Sequence, residues 1–313
     1  MAMAKPYIQQ CKGNNGLDKY VLKEARGSSV EVYLYGAHVT SWKNDRGEEL
    51  LFLSRKSLFE PPNRIRGGIP ICFPQVGGLE NYENHGFVRK LFWAIDQSPP
   101  PLEESNSYRT FVDLVLKPPE GFYKYWPQTY EFRLRVALTP GGDLILVSRI
   151  RNINRNGKPF TFTFAFYAYF SVSDICEVRV EGLETYYYLD NLKNKERCTD
   201  QGDSLTFESE IDRSYVGTPN KIAIIDHEKR RTYVLWKEGM PDAVVWNPWD
   251  KKAKAIADFG DDEYKRMLCV APAVIEEPLK LKPGEEWTGS LVISCVPSSY
   301  CSGELDPKKI LHG

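Results

Sequence analysis

Residues 64–90, "RIRGGIPICFPQVGGLENYENHGFVRK", gather the residue types that bind anions. Arg64 and Arg66 offer planar forks able to grip a phosphate or carboxylate through paired hydrogen bonds. Gly67 and Gly68 allow positive φ and close backbone approach, and Pro70 and Pro74 stiffen the apolar run. His85 follows beside Gly86, with Arg89 close behind. The G-x-x-x-x-G-K-[ST] spacing of a phosphate-cradling loop is absent. The chemistry expected is capture of a small anion by isolated side chains, with His85 beside the arginines. The other histidines have weaker claims: His38 lies in a strand, His227 in a charged turn and His312 at the C-terminal end.

Strands must position these groups. Period-two alternation runs through "SSVEVYLYGAHVTSW", "YEFRLRVALTP", "DLILVSRIRNI", "KIAIIDHE", "RTYVLWKE", "DAVVWNPW" and "WTGSLVISCV". In "PFTFTFAFYAYFSV", Phe160, Phe162, Phe164, Phe166 and Phe170 take one face, and Thr161, Thr163, Ala165, Tyr167 and Tyr169 the other. Turn signals such as "NDRGEE", "TPGGD", "NRNGKP" and "LKPGEE" separate the runs at short intervals. Helical periodicity is scarce, with short candidates at "DDEYKRM" and "DPKKIL". No repeat or long linker divides the chain. An all-β, mostly antiparallel sandwich is expected, as a single domain over residues 1–313 with a core from about 15 to 305.

Bulk properties narrow the partners. The 313 residues carry 41 basic and 42 acidic side chains, a formal net charge of -1, which favours neither nucleic acid nor an anionic membrane. No window approaches the roughly 20 apolar residues of a membrane-spanning helix. The seven cysteines are scattered, without a C-x-x-C, so neither a zinc site nor a disulfide framework is expected. The start, "MAMAKPYIQQCKG", has no secretory pattern, and the reading is a reduced, cytoplasmic monomer with a small-molecule substrate.

Several motifs carry a resemblance in chain order: "RGGIP", "FPQ", "HGFVR", "VEGLET", "YLDNL", "SEIDR", "VVWNPW", "KAKAIADFGDDEY" and "LKPGEEW". Together they resemble the plant glucose-6-phosphate 1-epimerase-like branch of the aldose 1-epimerases, over roughly residues 15 to 305. The resemblance implies a galactose-mutarotase-like antiparallel β-supersandwich with a substrate cleft on one face. It also implies interconversion of hexose-phosphate anomers with neither metal nor organic cofactor. By motif position it makes Arg66 and Arg89 the phosphate clamp and puts Gln75 and His85 on the sugar, with Trp246 also a substrate contact. Arg64 belongs less firmly to the pattern.

Two positions depart from the family. Mutarotation needs one group to take the proton from the anomeric hydroxyl and another to protonate the ring oxygen. The family supplies a histidine in an A-L-H-T-Y-F motif and a carboxylate in a C-V-[DE] motif. Here the chain reads "AFYAYF" and "MLCVAPAVIEEPL", with Tyr167 at the histidine position and Ala271 at the base position. Glu276 and Glu277 follow nearby, but no pattern aims either at the cleft. In "GLETYYYLDN", Tyr186 and Tyr187 replace an aliphatic residue and an acid, which reads as a pocket rebuilt for a flatter ligand. Tyr167, His85 and Asp190 are then the candidate proton-transfer groups. Three functions follow: an anomer-exchanging enzyme, an isomerase, epimerase or cyclase recruited to a plant metabolite that is not a sugar, or a non-catalytic sugar-phosphate binder.

Overall fold

A computed structural model describes residues 5–77, 85–101, 110–116, 118, 126–199 and 202–298. These residues form twenty strands in three sheets, and every pairing between strands is antiparallel. Strands β1 (Tyr7–Lys12), β2 (Asp18–Lys23), β3 (Ser29–Tyr33) and β4 (His38–Lys43) pair in order as a small sheet. Next come β5 (Ile71–Cys72), β6 (Ala94–Ile95), β7 (Thr110–Leu116), β8 (Tyr130–Leu138) and β9 (Leu144–Asn152). They are followed by β10 (Phe160–Phe166), β11 (Ala168–Ser171), β12 (Val178–Glu181), β13 (Tyr187–Asp190), β14 (Glu196–Thr199) and β15 (Ile211–Tyr215). The series closes with β16 (Lys221–Asp226), β17 (Arg231–Glu238), β18 (Asp242–Asn247), β19 (Met267–Leu281) and β20 (Glu286–Pro297).

Two eight-stranded sheets face one another. One runs β14-β13-β15-β18-β19-β10-β5, with β11 also on β19; the other runs β12-β16-β17-β20-β9-β8-β7-β6. The core lies between them. Phe160, Phe162, Phe164 and Phe166 all turn inward and are buried, as their alternation predicts. Phe164 meets Phe166 edge-on at 4.9 Å and Trp287 of β20 at 4.9 Å, so aromatic rings from both sheets interlock. Each such side chain contributes roughly 2 kcal/mol of apolar burial.

The outer face of the first large sheet carries Thr161, Thr163, Ala165, Tyr167 and Tyr169, the opposite set of the same alternation. Tyr167 falls in the break between β10 and β11. Helix is sparse. "DDEYKRM" yields a single 3-10 turn at Glu263–Arg266, while "DPKKIL" lies outside the described residues. The α-helix among the described residues, α1 (Trp249–Ala255), was not expected. Buried Asn247 holds its start, accepting from Trp249 N at 2.9 Å and donating to the Tyr264 and Met267 carbonyls.

Candidate functional site

Register determines which side chains meet on the outer face. Ala165 lies opposite Ala273 and Ala168 opposite Val270, so Tyr167 falls directly across from Ala271. Ala271 in turn pairs with Val244, Val244 with Ser214, and Ser214 with Leu189. The neighbouring row runs Tyr169, Cys269, Trp246, Asp212 across β11, β19, β18 and β15. Residues directly opposite one another share a face. Tyr167 and Ala271, distant in sequence, therefore belong to one surface together with Asp212.

Loops complete this surface as a cleft of about 700 Å³. At one end Arg64, Arg66 and Arg89 converge with His85; at the other stand Asn191, Asn194, Lys195, Asp212 and Lys252. Tyr167, Tyr169, Trp246, Ile256 and Ile275 line the middle. Two glycines allow the arginine end to close. Gly68 has φ +63, and a Cβ there would lie 2.2 Å from the Val39 carbonyl oxygen; Gly86, at φ +71, would meet the Phe73 oxygen at 2.0 Å. No other residue fits either place. Buried His38 secures the Arg66 loop from behind through a 2.6 Å bond between Nε2 and the Gly67 carbonyl. Burial lowers the His38 pKa to about 4, so the ring is neutral and Nε2–H is the donor.

His85 is held in the left-handed region, φ 64. Its Nδ1 accepts from the Gly77 N–H at 3.2 Å, which leaves the proton of the neutral ring on Nε2. Burial, reinforced by Arg89, Arg64 and Arg66, pushes its pKa down to about 3. His85 is thus a neutral hydrogen-bond donor at physiological pH rather than a proton reservoir. Its ring meets Tyr167 edge-on at 5.0 Å. Burial drives the Tyr167 phenol well above its ordinary pKa, with nearby Cys72, Cys269 and Asp212 acting in the same direction. That hydroxyl stays protonated and can donate.

Among the described residues lining the cleft, Asp212 is the only carboxylate. Asn191 Nδ2 donates to its Oδ1 at 2.7 Å and to Ser214 Oγ at 3.1 Å, fixing one oxygen. Burial raises the Asp212 pKa, while the Asn191 bond and Lys252 pull it back. It is a held, partly desolvated carboxyl beside a lysine, able to accept or return a proton.

The structure gathers Arg66, Arg89, His85, Tyr167 and Trp246 around the cleft and adds Arg64. It puts other candidates elsewhere. Buried Gln75 points toward the Gly77 carbonyl, outside the lining. Asp190 caps a turn by accepting from Leu192 N and lines an adjoining cavity of about 460 Å³, whose wall also includes Asp212. Tyr186 packs against the core, and Tyr187 is 54% exposed beneath Arg197. Ala271 is 0% exposed and lies in an apolar cluster with Tyr169, Cys269 and Val244, which Tyr167 and Trp246 cover. Asp212, Tyr169 and Lys252 went unrecognised in the sequence. No group of three or more His, Cys, Asp or Glu among the described residues could hold a metal ion.

Known proteins share this fold. Over 311 residues the chain is 63% identical to a protein of Cenchrus ciliaris named "Putative glucose-6-phosphate 1-epimerase", covering 99% of this chain and 94% of that one. Its fold matches the crystal structure of a "putative mutarotase" from Salmonella typhimurium with TM-score 0.82 at 25% identity, covering 93% and 94% of the two chains. It also matches galactose 1-epimerase from Lactobacillus acidophilus, TM-score 0.70 at 14% identity over 94% and 99%, a likeness of fold alone. The fold is therefore the galactose-mutarotase-like antiparallel supersandwich. The family model for aldose 1-epimerase matches residues 18–294, and the chain belongs to that family.

Proposed function

We propose that the protein exchanges the anomers of a hexose 6-phosphate, with Asp212 as proton acceptor in place of the family carboxylate. The observation that carries this reading is the polarity of one cleft. Three arginines and a neutral imidazole donor occupy one end, and a lone carboxylate stands beyond a protonated phenol. The name of the Cenchrus ciliaris relative supports the same substrate.

In this reading Arg64, Arg66 and Arg89 receive the phosphate. Asp212 takes the proton from the anomeric hydroxyl. That oxygen's bonding pair forms the C1 carbonyl, the bond from C1 to the ring oxygen breaks, and the Tyr167 hydroxyl gives its proton to the ring oxygen. Rotation about C1–C2 followed by the reverse transfers closes the ring on the other face. A phenol is poorly matched to proton transfer at neutral pH. Exchange should therefore be slower than an imidazole acid would allow.

One observation favours a second reading, a recruited enzyme for a flatter anionic ligand. Tyr167, Tyr169, Trp246 and Ile275 make the middle of the cleft apolar, and Ala271 lies beneath them. Saturation-transfer NMR of glucose 6-phosphate decides between the two. Exchange above the spontaneous rate, abolished by Arg66→Ala or Arg89→Ala, is expected. Binding without acceleration would sink the enzymatic reading and leave a sugar-phosphate binder. Neither binding nor exchange would turn the search to planar anions.

A further inference from the structure

Behind the arginine end stands a carboxylate that takes no part in the proposed reaction. Asp258 Oδ1 accepts from Arg66 Nε at 3.2 Å and from Arg66 Nη2 at 2.9 Å. Its Oδ2 is 3.7 Å from Arg64 Nε. Asp258 contacts both arginines but is not itself among the cleft-lining residues. Tyr169 also lies close to Arg66.

Its backbone is well anchored. Asp258 follows α1, whose Lys252 and the adjoining Ile256 line the cleft. The next residue, Phe259, is fully buried and packs on Phe52 with ring centroids 5.6 Å apart. Glu263 ties the same segment to the loop entering Arg66 by accepting from Ser54 Oγ, Arg55 N and Gly260 N. The carboxylate is thus fixed where it meets the guanidinium.

Two consequences follow. A planar guanidinium gripped along one edge can offer only its other edge to a ligand. In addition, one negative charge offsets part of the charge of three clustered arginines. We propose that Asp258 is a positioning residue that aims the Arg66 fork into the cleft and moderates the attraction of the site for a bound anion, so that the anion can leave. This rests on the reading that an anionic group is received at the arginine end.

Calorimetric titration of inorganic phosphate into the full-length protein tests it, with Asp258→Asn and Asp258→Ala alongside. The Asn variant keeps an acceptor oxygen for Arg66 and removes the charge. Phosphate should bind it at least threefold more tightly than wild type, an effect that mere structural damage does not produce. The Ala variant removes both charge and acceptor, and should bind at least threefold more weakly than the Asn variant. An Asn variant that binds no tighter than wild type overturns the proposed moderation, and equal affinities of the two variants overturn the positioning. Wild-type protein that does not bind phosphate overturns the underlying reading, and this inference with it. Should the variants fail to fold, the wild type still answers by NMR. The Arg66 Nε–H signal, assigned by its loss in Arg66→Lys, should exchange slowly with and without phosphate, and rapid exchange in both states refutes the grip by Asp258.

Discussion

Asp212 carries the heaviest chemical assignment, and its environment makes that assignment measurable. Asp212→Asn keeps the shape and removes the proton acceptor. Anomer exchange should fall by about 10² or more, in the usual range for a general base, with phosphate affinity unchanged within about twofold. The base works only when ionised, and burial raises its folded pKa. Exchange should therefore be present above that pKa and lost as pH falls through it, at a point above the ordinary carboxylate value near 4. An acid limb that persists in the Asn variant would assign it to another group. Tyr167 and Ala271 allow a gain-of-function test, because the register sets them opposite each other on the cleft face. Tyr167→His with Ala271→Asp should raise exchange at least tenfold over wild type, while either change alone should not. The arginines and His85 were legible as a cluster because their types are unusual among glycines. Asp212 was not, since it stands among Glu208, Glu210 and Arg213 in a polar run. Only the pairing of Asp212 with Trp246, then of Trp246 with Cys269, carries it into the cleft.

At the scale of elements, the cleft depends on loops that cross close to strands. Gly68→Ala puts a methyl group 2.2 Å from the Val39 oxygen in a left-handed conformation, so the Arg66 loop must move. Phosphate binding should drop at least tenfold, and stability by about 1–3 kcal/mol as in other strained backbones, read by calorimetry and urea unfolding. An unchanged affinity would show that the loop does not depend on this approach. The far sheet supplies a contrast. Arg135 and Asp113 pair directly across β7 and β8, with bonds of 2.9 and 2.8 Å, both nearly buried. Asp113→Ala should destabilise by about 3–5 kcal/mol, the usual effect of stranding a buried charge, and leave anomer exchange per folded molecule intact. The strands were readable because Phe160 to Phe166 alternate without interruption. Helix α1 was not, because its seven residues bury only Ala253 and its start depends on Asn247, whose partners are distant in sequence. Tyr186 and Tyr187 stand outside the cleft lining for a related reason. Thr185 takes a left-handed φ of 67 just before β13, and the turn leaves Tyr188, rather than Tyr187, buried.

The whole molecule carries several buried titratable groups whose protonation differs between folded and unfolded chains, and together they shape stability against pH. On the acid side, the unfolded chain protonates its imidazoles near 6.5, whereas His38 does so in the folded state only at about 4 and His85 only at about 3. Unfolding therefore takes up protons in this window, and stability falls as pH drops from 6.5 toward 4. His38 alone accounts for about 3 kcal/mol of that fall, at about 1.4 kcal/mol per pH unit. On the alkaline side two effects oppose each other. Cys72 and Cys295 have thiols raised to about 12 and about 11, so above pH 9 the unfolded chain releases protons that the folded chain keeps, and stability declines. Lys237 is fully buried, its Nζ donating to the Thr218 and Met240 carbonyls, and burial lowers its pKa to about 8. The unfolded chain keeps that proton to about 10.5, so this group adds stability as pH rises from 8 to 10.5. At pH 10 the lysine adds roughly 3 kcal/mol and Cys72 and Cys295 together remove roughly as much, while the buried Cys269 thiol, also raised by burial, removes more, so the lysine delays the decline without cancelling it. Urea unfolding from pH 4 to 11 should give a steep acid limb and a shoulder that holds to about pH 9. Lys237→Met should be less stable throughout, with two carbonyls left unpaired, and its decline should begin near pH 8, ahead of the wild type. A Met variant that keeps the wild-type shoulder would show that the buried lysine stays charged across this range.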